Sequence, residues 1–298
     1  VVGGAHSPGD GAADAAAGAT LSAPFVYRAR SSPIGPFSCP RSPEHHRPPR
    51  AGHPFESMQT LCFDLPEFAF FGRSLAEYHR FLGFRPADLV GLRVLDCAAG
   101  PSSFAAEAAC LGIDVVAVDP LYARNETALR MTVGAAYDRM ARQMHEKREL
   151  LEFRAYPTID DAVRARRAAA ERFLADYYTG RAVGRYVAAA LPTLPFGDAT
   201  FDHAFCAHLL FVYERLLDFD AHLAACLELV RVTRPGGEIR VHPIVDPRGE
   251  ESALLRPLCD ALEAHDIESR IEHVDYSFFR GTHRTLVLRR RACTQRGA

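Results

Sequence analysis

The chain has 298 residues, 48% of them hydrophobic, and a formal net charge of −2. That length sustains one sizeable core, and the near-neutral balance leaves no electrostatic footprint for DNA or bulk RNA. No apolar run reaches the ~18 residues that a membrane span needs. Residues 1–57 hold nine of the 20 prolines, with Gly, Ala, Ser and Arg between them and no helical or strand period. Such a segment buries too little apolar surface to offset its ordering entropy, so it reads as a disordered leader. Met58 is then a candidate natural start, and an organellar transit peptide is the alternative.

From Met58 to residue 298 the elements alternate regularly. An aromatic-rich stretch leads to Ser74 and Glu77, a capping-box pair ahead of a short helix that ends near Gly83. A buried strand is predicted at 93–97, a helix at 103–111 stopped by Gly112, and a second strand at 114–118 that runs into Asp119. The next 62 residues, 123–184, are more than one crossover helix requires. Leu129, Val133, Tyr137, Met140 and Met144 recur at helical spacing, and Val163, Leu174 and Tyr177 mark a second helix after Pro157 and Thr158. This helical insertion is either a lid over the carboxyl ends of the strands or a stabilising elaboration of the crossover. Further strands are expected at 186–190, 201–207 and 238–243, a helix at 253–265, and two last strands at 270–276 and 285–290. Arg289, Arg290 and Arg291 read as a solvated chain end. The alternation implies an α/β fold, a doubly wound and mostly parallel sheet of seven strands, with the insertion after strand two and an antiparallel hairpin at the C-terminus.

The chemistry concentrates in two segments, VLDCAAGPSSF at 94–104 and DVVAVDP at 114–120. A strand, a tight turn and a helix put small residues where a ligand can approach the backbone. A carboxylate closing the next strand can accept two hydrogen bonds from the vicinal hydroxyls of a ribose; the plainer role for Asp119 is to cap a helix. These residues resemble the class I S-adenosylmethionine-dependent methyltransferases, whose first motif is Asp-x-Gly-x-Gly-x. Here Ala98 replaces the first glycine of the motif and Gly100 keeps the second. Residues 194–211 resemble the family's fourth strand with its preceding turn, and residues 227–242 its helix, Pro-Gly-Gly turn and fifth strand.

The resemblance implies S-adenosylmethionine as cofactor and Arg73, Asp96, Ala98, Gly100, Ser102, Asp119, Pro120, Leu191 and His208 as the residues around it. Asp96 is expected to order the glycine turn and face the methionine ammonium, or only to cap the turn. Ser102 caps the following helix or touches the cofactor, and Arg73 pairs with the methionine carboxylate or is a solvated surface residue. An acid that often holds adenine after strand three is missing, since this chain has AAALP at 188–192. His208 follows strand four, where a methyl acceptor would lie; it is a general base, a ligand contact or a structural residue. Tyr213, His242 and Tyr276 are further candidates for the pocket wall.

The eight cysteines (39, 62, 97, 110, 206, 226, 259 and 293) include no C-x-x-C pair. That speaks against a disulfide framework or a metal site and suits a reducing cytosol. No Asn-Pro-Pro-Tyr run follows strand four and no Pro-Cys pair occurs, so amino methylation of adenine or C5 methylation of cytosine is disfavoured. A nicotinamide dehydrogenase would carry G-x-G-x-x-G after strand one, which CAAGPSS does not supply. Methyl transfer to a small molecule is the expected activity, with no membrane or nucleic-acid partner and the oligomeric state open. A non-catalytic module that binds S-adenosylmethionine or a protein partner is the alternative.

Overall fold

A computed structural model describes residues 61–291. The expected leader at 1–57, Met58, Cys39 and Cys293 lie outside the described residues. Ser74 and Gly83 bracket the first helix, α1 (Leu75–Leu82), as their chemistry requires. Ser74 is extended and its Oγ accepts from the Glu77 N–H, while Gly83 closes the helix at φ 73° and donates to His79 O. Only this half of the capping box forms, because the Glu77 carboxylate turns inward to Arg166.

The chain continues through β1 (Arg93–Cys97), α2 (Phe104–Ala109), β2 (Asp114–Val118), α3 (Glu126–Glu146), α4 (Ile159–Ala182) and β3 (Tyr186–Val187). It then forms β4 (His203–Ala207), α5 (Phe219–Val232), β5 (Ile239–His242), α6 (Leu255–Glu263), β6 (Ile267–His273) and β7 (Arg284–Arg290). Asn125 caps α3 and Thr158 caps α4, each through its side-chain oxygen. The third strand is shorter than expected. Beyond Val187 come three alanines, poor strand formers, and Ala190 turns back to bridge Thr193. Arg289, Arg290 and Arg291 are exposed as expected, and each has a partner: Arg289 pairs with Glu238, Arg290 donates to Val230 O, and Arg291 pairs with Glu263.

The sheet order is β3-β2-β1-β4-β5-β7-β6. Every pair from β3 to β5 is parallel, and β7 is antiparallel to both β5 and β6. Alternate strand residues serve opposite faces. Val94, Val115, Ala117 and Phe205 pack with α1 to α4, while Leu95, Val116, Val118 and Cys206 pack with α5 and α6. The chain direction across the sheet reverses between β1 and β4, and the crevice outside their carboxyl ends is where open α/β sheets bind ligands. The turns after Cys97 and Ala207 border that crevice.

Candidate active site

Backbone strain marks both turns. Ala98 (φ 59°) and Gly100 (φ 56°) follow β1, and His208 (φ 56°) follows β4. A left-handed conformation costs a residue with a Cβ and persists only where the surroundings impose it. Asp96 reaches into the helical layer over β1, 1% exposed. Its Oδ1 accepts from the Tyr78 hydroxyl at 3.2 Å, and its Oδ2 is buried without a partner. Burial raises the Asp96 carboxyl well above its ordinary value, opposed by the Tyr78 hydrogen bond and reinforced by Asp119.

Ser102 does not cap α2. Its hydroxyl donates to Ala99 O at 2.7 Å and accepts from Arg73 N at 3.0 Å, closing the glycine turn on itself. Ser103 holds the N-cap position and donates to Glu107 Oε1. Residues 71–73 lie across the turn as a strap: Ser103 N donates to Arg73 O at 3.0 Å, and the Tyr137 hydroxyl of α3 bonds both the N–H and the carbonyl of Gly72 at 3.2 Å. A Cβ on Gly72 would stand 2.2 Å from the Pro101 carbonyl carbon. Gly72→Ala is therefore expected to cost about 1–3 kcal/mol and to lift the strap from the turn, measured by urea denaturation alongside cofactor affinity.

Asp119 closes β2 at 9% exposure. Its Oδ2 accepts from Gly100 N at 3.1 Å and its Oδ1 from Leu121 N at 2.8 Å. The capping role is thus present, on the short 3₁₀ turn Pro120–Ala123, and the same carboxylate ties β2 to the glycine turn. Burial pushes its pKa up to about 6, against the lowering effect of the two backbone donors. Two of the roughly four acceptor positions of a carboxylate are used, which leaves room for two hydroxyl donors. Pro120 is exposed beside it, and Leu191 is 4% exposed and packs with Val116 and Val118.

The residues fit a nucleoside bearing an amino-acid chain. The acid has spare acceptor positions, Ala98 and Gly100 give the turn its left-handed backbone, and Asp96, at the strand end before that turn, has a buried Oδ2 without a partner. The structure gives no carboxylate for the adenine amino group at 188–192, in keeping with the alanines there.

His208 is half-buried, with its N–H donated to His242 O and its Nδ1 buried without a partner. Burial, then Arg73, His242 and Arg166, hold its pKa well below the ordinary histidine value. Beside it lies a cavity of about 100 Å³, lined among others by Arg73, His208, Met140, Met144, Arg166 and Tyr276. Tyr213 also lines it, whereas His242 stands behind, stacked on Phe81 at 4.9 Å. Of the nine residues expected around the cofactor, only Arg73 and His208 line this cavity. The glycine turn and Asp119 form a separate group along the same crevice.

Two features escaped the sequence reading. Glu77 and Arg166 form a buried ion pair at 3.1 Å, joined by the Tyr276 hydroxyl. Arg166 also lies 4.7 Å from the Phe278 ring centroid. A usable signal was present: Arg166 sits on the buried face of α4 with Ala162, Ala169 and Phe173, where a solvated arginine does not belong. The second is the pair Phe278 and Phe279, which line the cavity from the loop between β6 and β7, next to the expected Tyr276.

A methyltransferase-domain family model matches residues 131–241, from α3 to β5. The glycine turn and Asp119 precede that match. An uncharacterized protein of Methanocaldococcus jannaschii is 28% identical over 228 residues, covering 76% of this chain and 98% of that protein. Among solved structures, the 1,6-didemethyltoxoflavin-N1-methyltransferase of Burkholderia thailandensis is 16% identical, with 70% of this chain and 76% of that chain covered, at a TM-score of 0.36. An Aquifex aeolicus SAM-dependent methyltransferase is 14% identical, with 72% and 95% covered, at 0.37. Scores of that size carry no argument; the domain match covers 131–241, and β1, β2 and the glycine turn lie outside it. Through that domain match, which lies within the seven-stranded sheet, the chain is similar to the S-adenosylmethionine-dependent methyltransferases.

Proposed function

We propose that the protein methylates a small molecule seated in the cavity beside His208. The observation that carries this reading is the makeup of its wall, which comes from five parts of the chain: residues 63–73 with the strap, the insertion, the segment after β4, Pro247 after β5, and the β6–β7 loop. The insertion serves as the lid of this cavity. Displacement at a methyl carbon gains most of its rate from alignment and a dry site, and a wall of rings and thioethers excludes water. The formal net charge of −2 gives no overall attraction to nucleic acid. Its thiols at Cys97, Cys206 and Cys226 are buried and unpaired, which suits a reducing, cytoplasmic setting.

S-adenosylmethionine, when bound, supplies an activated methyl group on a sulfonium sulfur. Asp119 would hold the ribose hydroxyls, with Pro120 and Leu191 beside it. Ala98 and Gly100 would admit the amino-acid end to the backbone, and Asp96 and Ser102 would keep the turn in shape. His208 faces the acceptor as a neutral imidazole, because three nearby cationic or imidazole groups and burial oppose its protonation. A base of such low proton affinity orients the acceptor better than it stores a proton. His208→Gln is therefore expected to lower kcat by about tenfold, short of the ~10²–10⁴ lost with a true general base. The wild-type rate is expected to show no inflection from this residue between pH 6 and 8; kcat across that range checks both.

The acceptor class is tested by incubating the full chain with methyl-labelled S-adenosylmethionine and a cell extract separated into metabolite, protein and RNA fractions. Label is expected among the metabolites. Label confined to protein or RNA would overturn the reading.

A further inference from the structure

The cavity has a second property, which rests on the small-molecule reading and narrows it. Its walls carry six aromatic rings, those of Phe63, Phe71, Tyr213, Tyr276, Phe278 and Phe279. Its polar chemistry is one-sided. Two arginines line it, and among the described residues no aspartate or glutamate does. Arg166 brings no net charge, because Glu77 pairs with it at 3.1 Å and both are buried. Arg73 differs. No carboxylate lies within ion-pair distance of it among the described residues; its Nη1 donates weakly to Phe71 O at 3.4 Å, and its Nε is buried with no partner. His208 adds no positive charge of its own.

A half-buried guanidinium with an unused donor, facing an aromatic cavity without acids, is an electrostatic surplus that an anion would cancel. The backbone of Arg73 is anchored to the glycine turn through Ser102 and Ser103. Its side chain nevertheless lines the cavity that the turn and Asp119 do not reach. We propose that the acceptor is a flat aromatic acid whose ring lies among the cavity's aromatic side chains and whose anionic group pairs with Arg73. The rings favour a planar partner through offset and edge contacts. The volume of about 100 Å³ suits one such ring better than a long flexible substrate. Arg73 is then a specificity residue for the acceptor. The competing source of the anion is the methionine carboxylate of the cofactor, and the test separates the two.

Binding to the full chain is measured by calorimetry, with and without S-adenosylhomocysteine. The probes are benzoate, 4-hydroxybenzoate and 2-naphthoate, each against its amide, with cyclohexanecarboxylate as the non-planar acid. At least one aromatic acid is expected to bind about tenfold or more tightly than its amide and than cyclohexanecarboxylate, the scale of one charge-assisted pair. Arg73→Gln is expected to erase the preference for acid over amide, and Arg73→Lys to restore part of it. Affinity for S-adenosylhomocysteine is expected to change less than about twofold. Equal binding of acids and amides, or no binding by any acid, would overturn the proposal, and neither comparison needs a variant to fold. Arg73→Gln that weakens S-adenosylhomocysteine while the acid preference survives would overturn it too, placing Arg73 on the methionine carboxylate. Methyl label in metabolites together with indifferent acids and amides sinks this proposal alone; label only in protein or RNA sinks the small-molecule reading and this one with it.

Discussion

Asp119→Ala is expected to abolish measurable S-adenosylmethionine binding while the protein stays folded. Two effects on stability oppose each other. The variant strands the N–H groups of Gly100 and Leu121, which the carboxylate now satisfies, at about 1–3 kcal/mol for each that stays buried. It also removes a carboxylate whose pKa burial has lifted from 3.8 to about 6, an ionisation penalty of about 3 kcal/mol at neutral pH. The two nearly cancel, so the melting temperature is expected to move little, and calorimetry then reads binding alone. The raised pKa makes a second expectation. For an acid held above its unfolded value, the native state carries the extra proton between pH 4 and 6, so its contribution to stability declines as pH rises through that window. Hydroxyl donors from a ribose stabilise the carboxylate form. Binding should release a proton below pH 6, and affinity should fall by about tenfold for each pH unit below it. A flat affinity profile from pH 5 to 7 would remove Asp119 from the ribose contact.

The strands of this sheet were legible because burial on both faces leaves apolar runs that end abruptly in polar residues, as at Asp119 and His208. Cap chemistry located α1 through Ser74 and Gly83, whereas α3 and α4 were legible from the spacing of their apolar residues alone; their caps, Asn125 and Thr158, are seen only in the structure. Strand β3 was overextended, since an alanine run has neither the branching that favours a strand nor the polarity that announces a loop. The side-chain partners were less accessible. Ser74 and Glu77 have the spacing of a reciprocal cap, yet Glu77 serves a guanidinium 89 positions away. Ser102 has the position of a helix cap, yet it bonds a carbonyl three residues back and the strap above it. Local sequence offers these groups a partner; tertiary packing supplies a stronger one.

The cavity illustrates the same limit from another side. Asp119 and the glycine turn sit on regular elements whose register the hydrophobic pattern dictates, so their neighbourhood could be anticipated. Arg73, Met144, Arg166 and Phe278 meet only because a strap, two insertion helices and a distal loop converge. None of those segments has a period that fixes its path relative to the others. The strained φ of Ala98 and His208 belongs to the same class, because a left-handed residue with a Cβ is imposed by its surroundings and leaves no mark in its own identity.

Glu77→Ala should be among the most destabilising single changes outside the apolar core, by about 3–5 kcal/mol, because it leaves the Arg166 guanidinium buried without its counter-ion. Arg166 cannot escape by losing its proton: burial alone would weaken its hold, but Glu77 and Tyr276 together raise its pKa. Nor can it reach water readily, with 4% of its side chain exposed. For a domain of this size the melting temperature should drop by roughly 10 °C or more. Lost packing is a competing explanation, and a double replacement separates the two. Glu77→Leu with Arg166→Met removes both charges and keeps most of the volume, so it should be more stable than Glu77→Leu alone. If the single and double variants unfold together, the charge pair contributes nothing beyond its bulk. The double variant also bears on activity. Arg166 ties α4 to α1 and to the loop after β6 through Glu77 and Tyr276, so its loss frees one wall of the cavity while leaving Asp119 and the glycine turn in place. With the acceptor seated in this cavity as proposed, its KM for the acceptor should rise several-fold with cofactor affinity unchanged.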